Sequence, residues 1–226
     1  MVLSAIKSGL SVWQIIGCII SSIAVIFLTL PVHEFAHGFV ADKLGDNTPR
    51  YQGRLTLNPI AHIDPIGALG ILLFGVGWAK PVNINARNFK DPKWGMAITA
   101  LAGPVSNIIM ALISLFVMNA VNAVFANLSV SGGIYYLLLA FFWYVANINV
   151  YLAVFNLIPI PPFDGSRILF AFLPSRYYFS VMRYERYIFI GLLVVVYLGI
   201  FDYPISFLSS RILSGLSFVA GLPFSI

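Results

Sequence analysis

The stretch Ile23-Ala24-Val25-Ile26-Phe27-Leu28-Thr29-Leu30-Pro31-Val32-His33-Glu34-Phe35-Ala36-His37 passes from unbroken apolar chain straight into a cluster of ionisable side chains. The apolar run begins near Leu10 and lasts to about Val40, well beyond the ~20 residues that cross a bilayer core. A cleaved leader is the competing reading, because Lys7 precedes the run. The run is too long for one, lacks a small-residue cleavage site and ends in charged chemistry. A first membrane span over about 10–40 is expected. The whole composition agrees: of 226 residues, 60% are hydrophobic and 9% charged, against roughly 25% charged in soluble domains. Such a chain cannot cover a water-exposed surface. The net charge of +5 does not point to nucleic acid, since no basic patch is interleaved with stacking aromatics. Cys18 is the single cysteine and sits in the apolar run, so no intrachain disulfide is available.

Outward from this stretch, the chain reads as an all-α polytopic membrane protein of about five or six spans, forming a single domain over 1–226. Further spans are expected at about 95–125, 134–157 and 187–201. A last segment, 204–222, stays open between a further span and an interfacial helix, because Ser206, Ser210, Ser214 and Ser217 form a polar stripe around Arg211. Residues 42–93 differ in kind. They carry Lys43, Arg50, Arg54, Lys80, Arg87, Lys90 and Lys93 among scattered Gly and Pro. Arg54–Leu57 and Val82–Asn85 alternate with period two, which predicts short strands. Between them, Ile66–Trp78 is apolar, glycine-rich and too short to span. This fits a β-hairpin or re-entrant region between the first two spans, tolerated at membrane depth where protein or a wet cavity satisfies the backbone. The basic residues of 42–93, with Arg167, Arg176, Arg183 and Arg186 after the third span, place both loops in the cytoplasm and the N-terminus outside.

The chemistry starts at His33-Glu34-Phe35-Ala36-His37, near the cytoplasmic end of the first span. Residues four apart share a helix face, so both imidazoles can ligate one zinc while the glutamate reaches water bound to it. The bland alternative is polar glue between helices. Ionisable groups within a span cost about 2.5–3.5 kcal/mol for Asp, Lys or Arg at the centre and mark function by default, so the metal reading is preferred. Catalytic zinc takes three protein ligands and keeps one open position. His62, with Asp64 beside it, and Asp164 are the candidates for the third. Topology favours Asp164. The third span runs inward like the first and delivers Asn156 and Asp164 at its inner end, and Leu101-Ala102-Gly103-Pro104-Val105-Ser106-Asn107 starts the second span at the same depth. His62 then reads as a loop residue near the site, and the roles of His62, Asp64 and Asn107 stay open. For Asn107, Asn147 and Asn149 the plain reading is interhelical hydrogen bonding, with Asn107 singled out because its motif lies at site depth.

Taken together, His33-Glu34-x-x-His37, Ala102-Gly103-Pro104 and the segment from Asn156 to Asp164-Gly165 resemble the site-2 protease family of intramembrane zinc metalloproteases, over about residues 20–175. The likeness is to a short subgroup without PDZ or CBS domains. The resemblance implies one Zn2+ per chain on His33, His37 and Asp164, Glu34 as catalytic base, and Asn156 contacting substrate or the oxyanion. It also implies an endopeptidase acting on membrane-anchored proteins, whose partners are a transmembrane-helix substrate and the lipid bilayer. The expected location is a prokaryotic cell membrane, with the site towards the cytoplasm. The competing class is a catalytically silent zinc-binding membrane protein, either a pseudo-protease or a transporter, that holds client helices. Paired half-spans would mark a transporter, whereas here the motifs cluster at one end, and a pseudo-protease would have lost Glu34 or a ligand. Oligomeric state stays open. A helical substrate has to unwind before cleavage, so the segments around Arg54–Leu57 or Val82–Asn85 are expected to pair with it by strand addition. The glycine-rich 66–77 region is expected to line water entry.

Overall fold

The structure is a computed structural model that describes residue 9 and residues 11–74, 78–128, 132–174 and 184–224. Lys7, residues 75–77, Arg176 and Arg183, all invoked above, lie outside the described residues. Four helices are long and apolar enough to cross a membrane: α1 (Val12–Lys43), α3 (Pro92–Asn127), α4 (Gly133–Asn156) and a last one, Asp202–Phe224. Between these fall α2 (Pro65–Phe74), α5 (Asp164–Phe172) and α6 (Glu185–Tyr197). The last helix, α7 (Asp202–Gly221), is extended by a 3-10 turn. The open segment 204–222 therefore has the length of a span, while the expected span at 187–201 is shorter, at 13 residues in α6.

Helix α1 begins at Ser11, whose hydroxyl and backbone exchange hydrogen bonds with Gln14 in a capping box. It contains Pro31, which lacks an N–H and crowds the carbonyl four residues back. The chain answers with a π-turn over Val25–Thr29, where the Leu30 N–H reaches Val25 O, five residues back. The extra residue re-phases everything after it, including His33 and His37. Helix α3 starts at Asp91, whose carboxylate accepts from Lys93 N and Trp94 N. Its 36 residues span about 54 Å, nearly twice a ~30 Å hydrocarbon core.

Helix α4 is the centre of the bundle, flanked by α1 and α3. Small residues allow the approach: a Cβ on Gly17 would stand 2.9 Å from Ala140 Cβ. Polar side chains fasten it. Ser21 Oγ donates to Phe141 O at 2.9 Å, Ser114 Oγ to Phe142 O at 2.8 Å, and Asn149 Nδ2 to Thr29 Oγ1 at 3.2 Å. This is how helices associate where lipid competes for apolar contact. Helix α7 packs Ile205, Leu213 and Ala220 against Ala111 and Leu115 of α3 and Val150 and Val154 of α4.

The loop region corrects the strand expectation. Neither 54–57 nor 82–85 forms a strand, and the isolated bridge among the described residues joins Ile63 to Ala79. Side chains have taken the place of ladder partners. The Arg54 guanidinium donates to Ala61 O, and the His62 ring donates from Nε2 to Thr56 O at 2.8 Å. Val82 N donates to Glu34 Oε2 at 2.9 Å and Asn85 N to Asp46 Oδ2 at 2.7 Å. The period-two pattern is nevertheless real at 82–85: Val82 is buried, Asn83 exposed, Ile84 half-buried and Asn85 exposed. In place of a hairpin, Asp64 caps α2 by accepting from Ile66 N and Gly67 N. The base of this helical excursion is closed by Lys80 N donating to His62 O at 2.7 Å.

Candidate metal centre

Three elements converge on one point. His33 and His37 lie one helical turn apart on α1, beyond the π-turn. Asp164 opens α5, reached after α4 through Pro159, Pro161 and Pro162. The turn is tight: a Cβ on Gly165 would stand 2.2 Å from Leu157 O, so only glycine lets α5 begin against the end of α4. The far end of α5 is held to α3 by Lys93 Nζ donating to Leu173 O at 2.7 Å, with Trp94 edge-on to Phe172.

The resulting distances define a triangle. His33 Nε2 and His37 Nε2 are 3.1 Å apart, and they lie 3.5 Å and 3.3 Å from Asp164 Oδ2. A tetrahedral zinc with bonds of about 2.0–2.1 Å has ligand-to-ligand edges of about 3.3–3.4 Å. The three observed edges bracket that value. The His37 ring agrees: its Nδ1 lies 2.7 Å from Thr99 O, which can only accept, so Nδ1 carries a proton and, in the neutral ring that a metal requires, Nε2 presents a lone pair. That lone pair faces a carboxylate oxygen, itself buried without a hydrogen-bond partner. Two acceptors aimed at each other in a buried site call for a positive group between them. The donor set of two imidazoles and one carboxylate suits zinc, and these residues fit it.

Around the triangle, Gly103 of α3 supplies room. A Cβ there would stand 2.4 Å from His37 Nε2 and 2.5 Å from His33 Cε1. Glu34, buried beside the two histidines, has Oε2 engaged by Val82 N–H. The sequence-derived candidates thus divide. His33, His37 and Asp164 are brought together, with Glu34 adjacent in the chain. Asn156 is half-buried and donates from Nδ2 to Leu152 O, one turn back in its own helix. His62 is fully buried, its ring tied to Thr56 O, and it is not in the metal cluster. Asp64 serves as the α2 cap.

Sequence reasoning did not find Thr99 O, the Val82 N–H or the carboxylate of Asp46. Backbone groups leave no residue-type signal. The signal for Gly103 was present, as a glycine before a proline inside an apolar helix at site depth. Asp46 is fully buried and accepts from Thr48 N and Oγ1, Asn85 N and Asn88 Nδ2, tying the end of α1 to residues 85–88. Burial pushes its carboxyl up, but these hydrogen bonds outweigh that and hold it below the usual carboxylate range.

Comparison with known proteins places this geometry in a family. The family model for "Peptidase family M50" matches residues 21–198. The chain is 41% identical over 172 residues to "Putative zinc metalloprotease YwhC" of Bacillus subtilis, covering 75% of this chain and 77% of that protein. It is 32% identical over 163 residues to "Putative zinc metalloprotease Rip2" of Mycolicibacterium smegmatis, covering 66% and 56%. It is 28% identical over 152 residues to "Zinc metalloprotease MJ0392" of Methanocaldococcus jannaschii, covering 67% and 34%. No solved structure matches the chain. With apolar helices of spanning length and three convergent ligand atoms in view, the match over most of its length makes this chain a member of peptidase family M50, an integral-membrane zinc metalloprotease.

Proposed function

We propose that the chain, acting as one domain, hydrolyses peptide bonds of membrane-anchored proteins within the bilayer, near its cytoplasmic face. The observation that carries this is the triangle of His33 Nε2, His37 Nε2 and Asp164 Oδ2, with edges of 3.1–3.5 Å, set inside apolar helices. Along α3, Gly103 lies about 16 Å from the first residue, and along α1, His37 lies about 9 Å from the last, at ~1.5 Å per residue. A site at that depth, near the ends that carry Lys43 and Lys93, faces the side where basic residues collect. The positive-inside rule makes that side the cytoplasm.

His33, His37 and Asp164 hold the zinc. When bound, zinc polarises the scissile carbonyl and lowers the pKa of water from 15.7 to about 7. Glu34 receives the proton of the attacking water and passes it to the leaving amine. Val82 N–H occupies Oε2 of that carboxylate, which leaves Oε1 to take the proton. Asn156 supplies a donor to the developing oxyanion, a contact worth roughly 2.7–4 kcal/mol in a well-studied protease. For that role its amide leaves Leu152 O. The α2 excursion admits water.

A substrate helix unwinds and its extended stretch pairs with Arg54–Leu57 or Val82–Asn85. The second segment is the better supported of the two, since its burial alternates and its inner N–H groups are already engaged. Proline placed in both segments should abolish cleavage, and intact cleavage would remove this step. The decisive experiment is zinc per chain of the detergent-purified protein beside His33→Ala and Asp164→Ala, then cleavage of a single-span reporter by wild type and Glu34→Gln. About one zinc, reduced in both ligand variants, and cleavage lost with zinc retained in Glu34→Gln are expected. Full zinc in both ligand variants, or an active Glu34→Gln, would overturn the assignment.

A further inference from the structure

The two histidines are served unequally. His37 gives its Nδ1 proton to Thr99 O, but His33 Nδ1 is buried with no hydrogen-bond partner. A metal-ligating histidine almost always donates its second ring N–H to a carboxylate, a carbonyl or water, and losing that partner typically costs 10–100-fold in metal affinity. When Nε2 of His33 holds zinc, the ring proton sits on Nδ1, a buried donor in need of an acceptor.

The converse lies on α3. Asn107 is 1% exposed, and its Oδ1 is buried with no donor. Helix register brings the two to one level. Thr99 O meets His37, and Gly103 meets both rings, with His33 Cε1 2.5 Å from where its Cβ would stand. Progress along α3 is therefore progress from His37 towards His33, and Asn107 is the next turn, about 6 Å further on. Ring atom Cε1 is bonded to Nδ1 as well as to Nε2, so the orphaned N–H is one bond from the atom that Gly103 meets. Asn149 is the other buried amide among the described residues whose Oδ1 lacks a donor. Its Nδ2 is tied to Thr29 Oγ1 and Val145 O, which fixes it a full turn from His33.

We propose that Asn107 is the positioning residue of His33: its side-chain carbonyl accepts the His33 Nδ1 proton, directly or through one water, when zinc is held. This rests on His33 being a zinc ligand. The test is zinc affinity of the full purified chain by chelator competition, with thermal stability of the zinc-free protein measured alongside. Asn107→Leu should bind zinc 10–100-fold more weakly while the zinc-free form melts no lower, because an unpaired buried polar group has been removed. Asn107→Asp, which still accepts, should restore most of the affinity, and Asn149→Leu should leave it unchanged. Wild-type affinity in Asn107→Leu, with zinc lost in His33→Ala, overturns the proposal alone. Zinc retained in His33→Ala overturns the ligand assignment beneath it. A destabilised zinc-free Asn107→Leu that Asn107→Asp does not rescue would make the role structural and also overturn it.

Discussion

Gly103→Ala is the sharpest probe of the metal centre, because glycine-to-alanine in a helix is otherwise favourable by roughly 0.5–1 kcal/mol. The added methyl would stand 2.4 Å from His37 Nε2, 2.5 Å from His33 Cε1 and 2.6 Å from His37 Cε1, where ordinary contact begins at 3.4 Å. About 1 Å of relief is required, and overpacking of this kind costs ~1–3 kcal/mol. His37 cannot give way freely, since its Nδ1 is fixed on Thr99 O. Either α1 and α3 separate or the rings turn, and both pull donor atoms out of a triangle whose edges already match zinc. A misplacement of about 1 Å near reacting groups can cost ~100-fold in rate. The expected outcome is a helical protein by circular dichroism that retains a minor fraction of its zinc and cleaves a single-span reporter at least ~100-fold more slowly. Gly215→Ala in α7, where nothing lies within 4 Å of the added carbon, is the control and should keep zinc and activity while gaining about 0.5–1 kcal/mol of stability. Wild-type zinc and cleavage in Gly103→Ala would refute the reasoning.

Val82→Pro deletes the N–H that Glu34 Oε2 accepts; losing a hydrogen bond to a charged group, about 1.5–3 kcal/mol, should slow cleavage ~10–150-fold with zinc content unchanged, while Val82→Ala stays near wild type. His62→Ala should keep its full zinc yet unfold more easily, by about 1–3 kcal/mol for the Thr56 carbonyl left unpaired, as read by thermal melting. Asp46→Asn should lower stability at neutral pH and flatten the acid limb of a stability profile. The sign follows from its depressed folded pKa: the contribution is complete above the unfolded value of about 3.9 and is lost as pH falls through the lower folded value. Melting temperatures from pH 7 to pH 3 would show it, and an unaltered acid limb in Asp46→Asn would count against the hub.

The parts of this molecule that were legible in its sequence are those whose signal is carried by residue type. Long apolar runs gave α1, α3 and α4 to within a few residues, because crossing a bilayer demands both length and apolarity. Ionisable groups at His33, Glu34, His37 and Asp164 were conspicuous against a 9% charged background. Span count was harder: α6 has an apolar composition but ends at Tyr197, before the Gly199 turn, where φ is +71°. What stayed hidden was carried by backbone. Thr99 is visible as a letter, but its carbonyl orients His37. Val82 is visible as an apolar residue, but its N–H holds Glu34. The strands failed for a related reason. Alternation at Val82–Asn85 reports an extended chain lying on a half-buried surface, and it does not report whether the hydrogen-bond partner is a strand or a pair of carboxylates.

That substitution ties the loop to the site. Lys80 N and Val82 N, two residues apart in extended chain, point the same way, one to His62 O and the other to Glu34 Oε2. Asn85 N then fastens the segment to Asp46 at the end of α1. One edge of 80–83 is therefore spent, at Lys80 on the loop carbonyl of His62 and at Val82 on Glu34 of α1, and extended-chain alternation turns the Asn83 peptide groups to the opposite edge. Val82 completes the contact from its side chain, packing on Gly38, where an added Cβ would meet Leu55, Pro49 and Val82 within 3.6 Å. Under the proposed pairing, a polypeptide on the outer edge would be aligned at the height of Glu34 by the same residues that hold Glu34 itself. Substrate register would then be set by the segment that already orients the Glu34 carboxylate. On that proposal, a loop with no regular strand would serve as part of the catalytic apparatus.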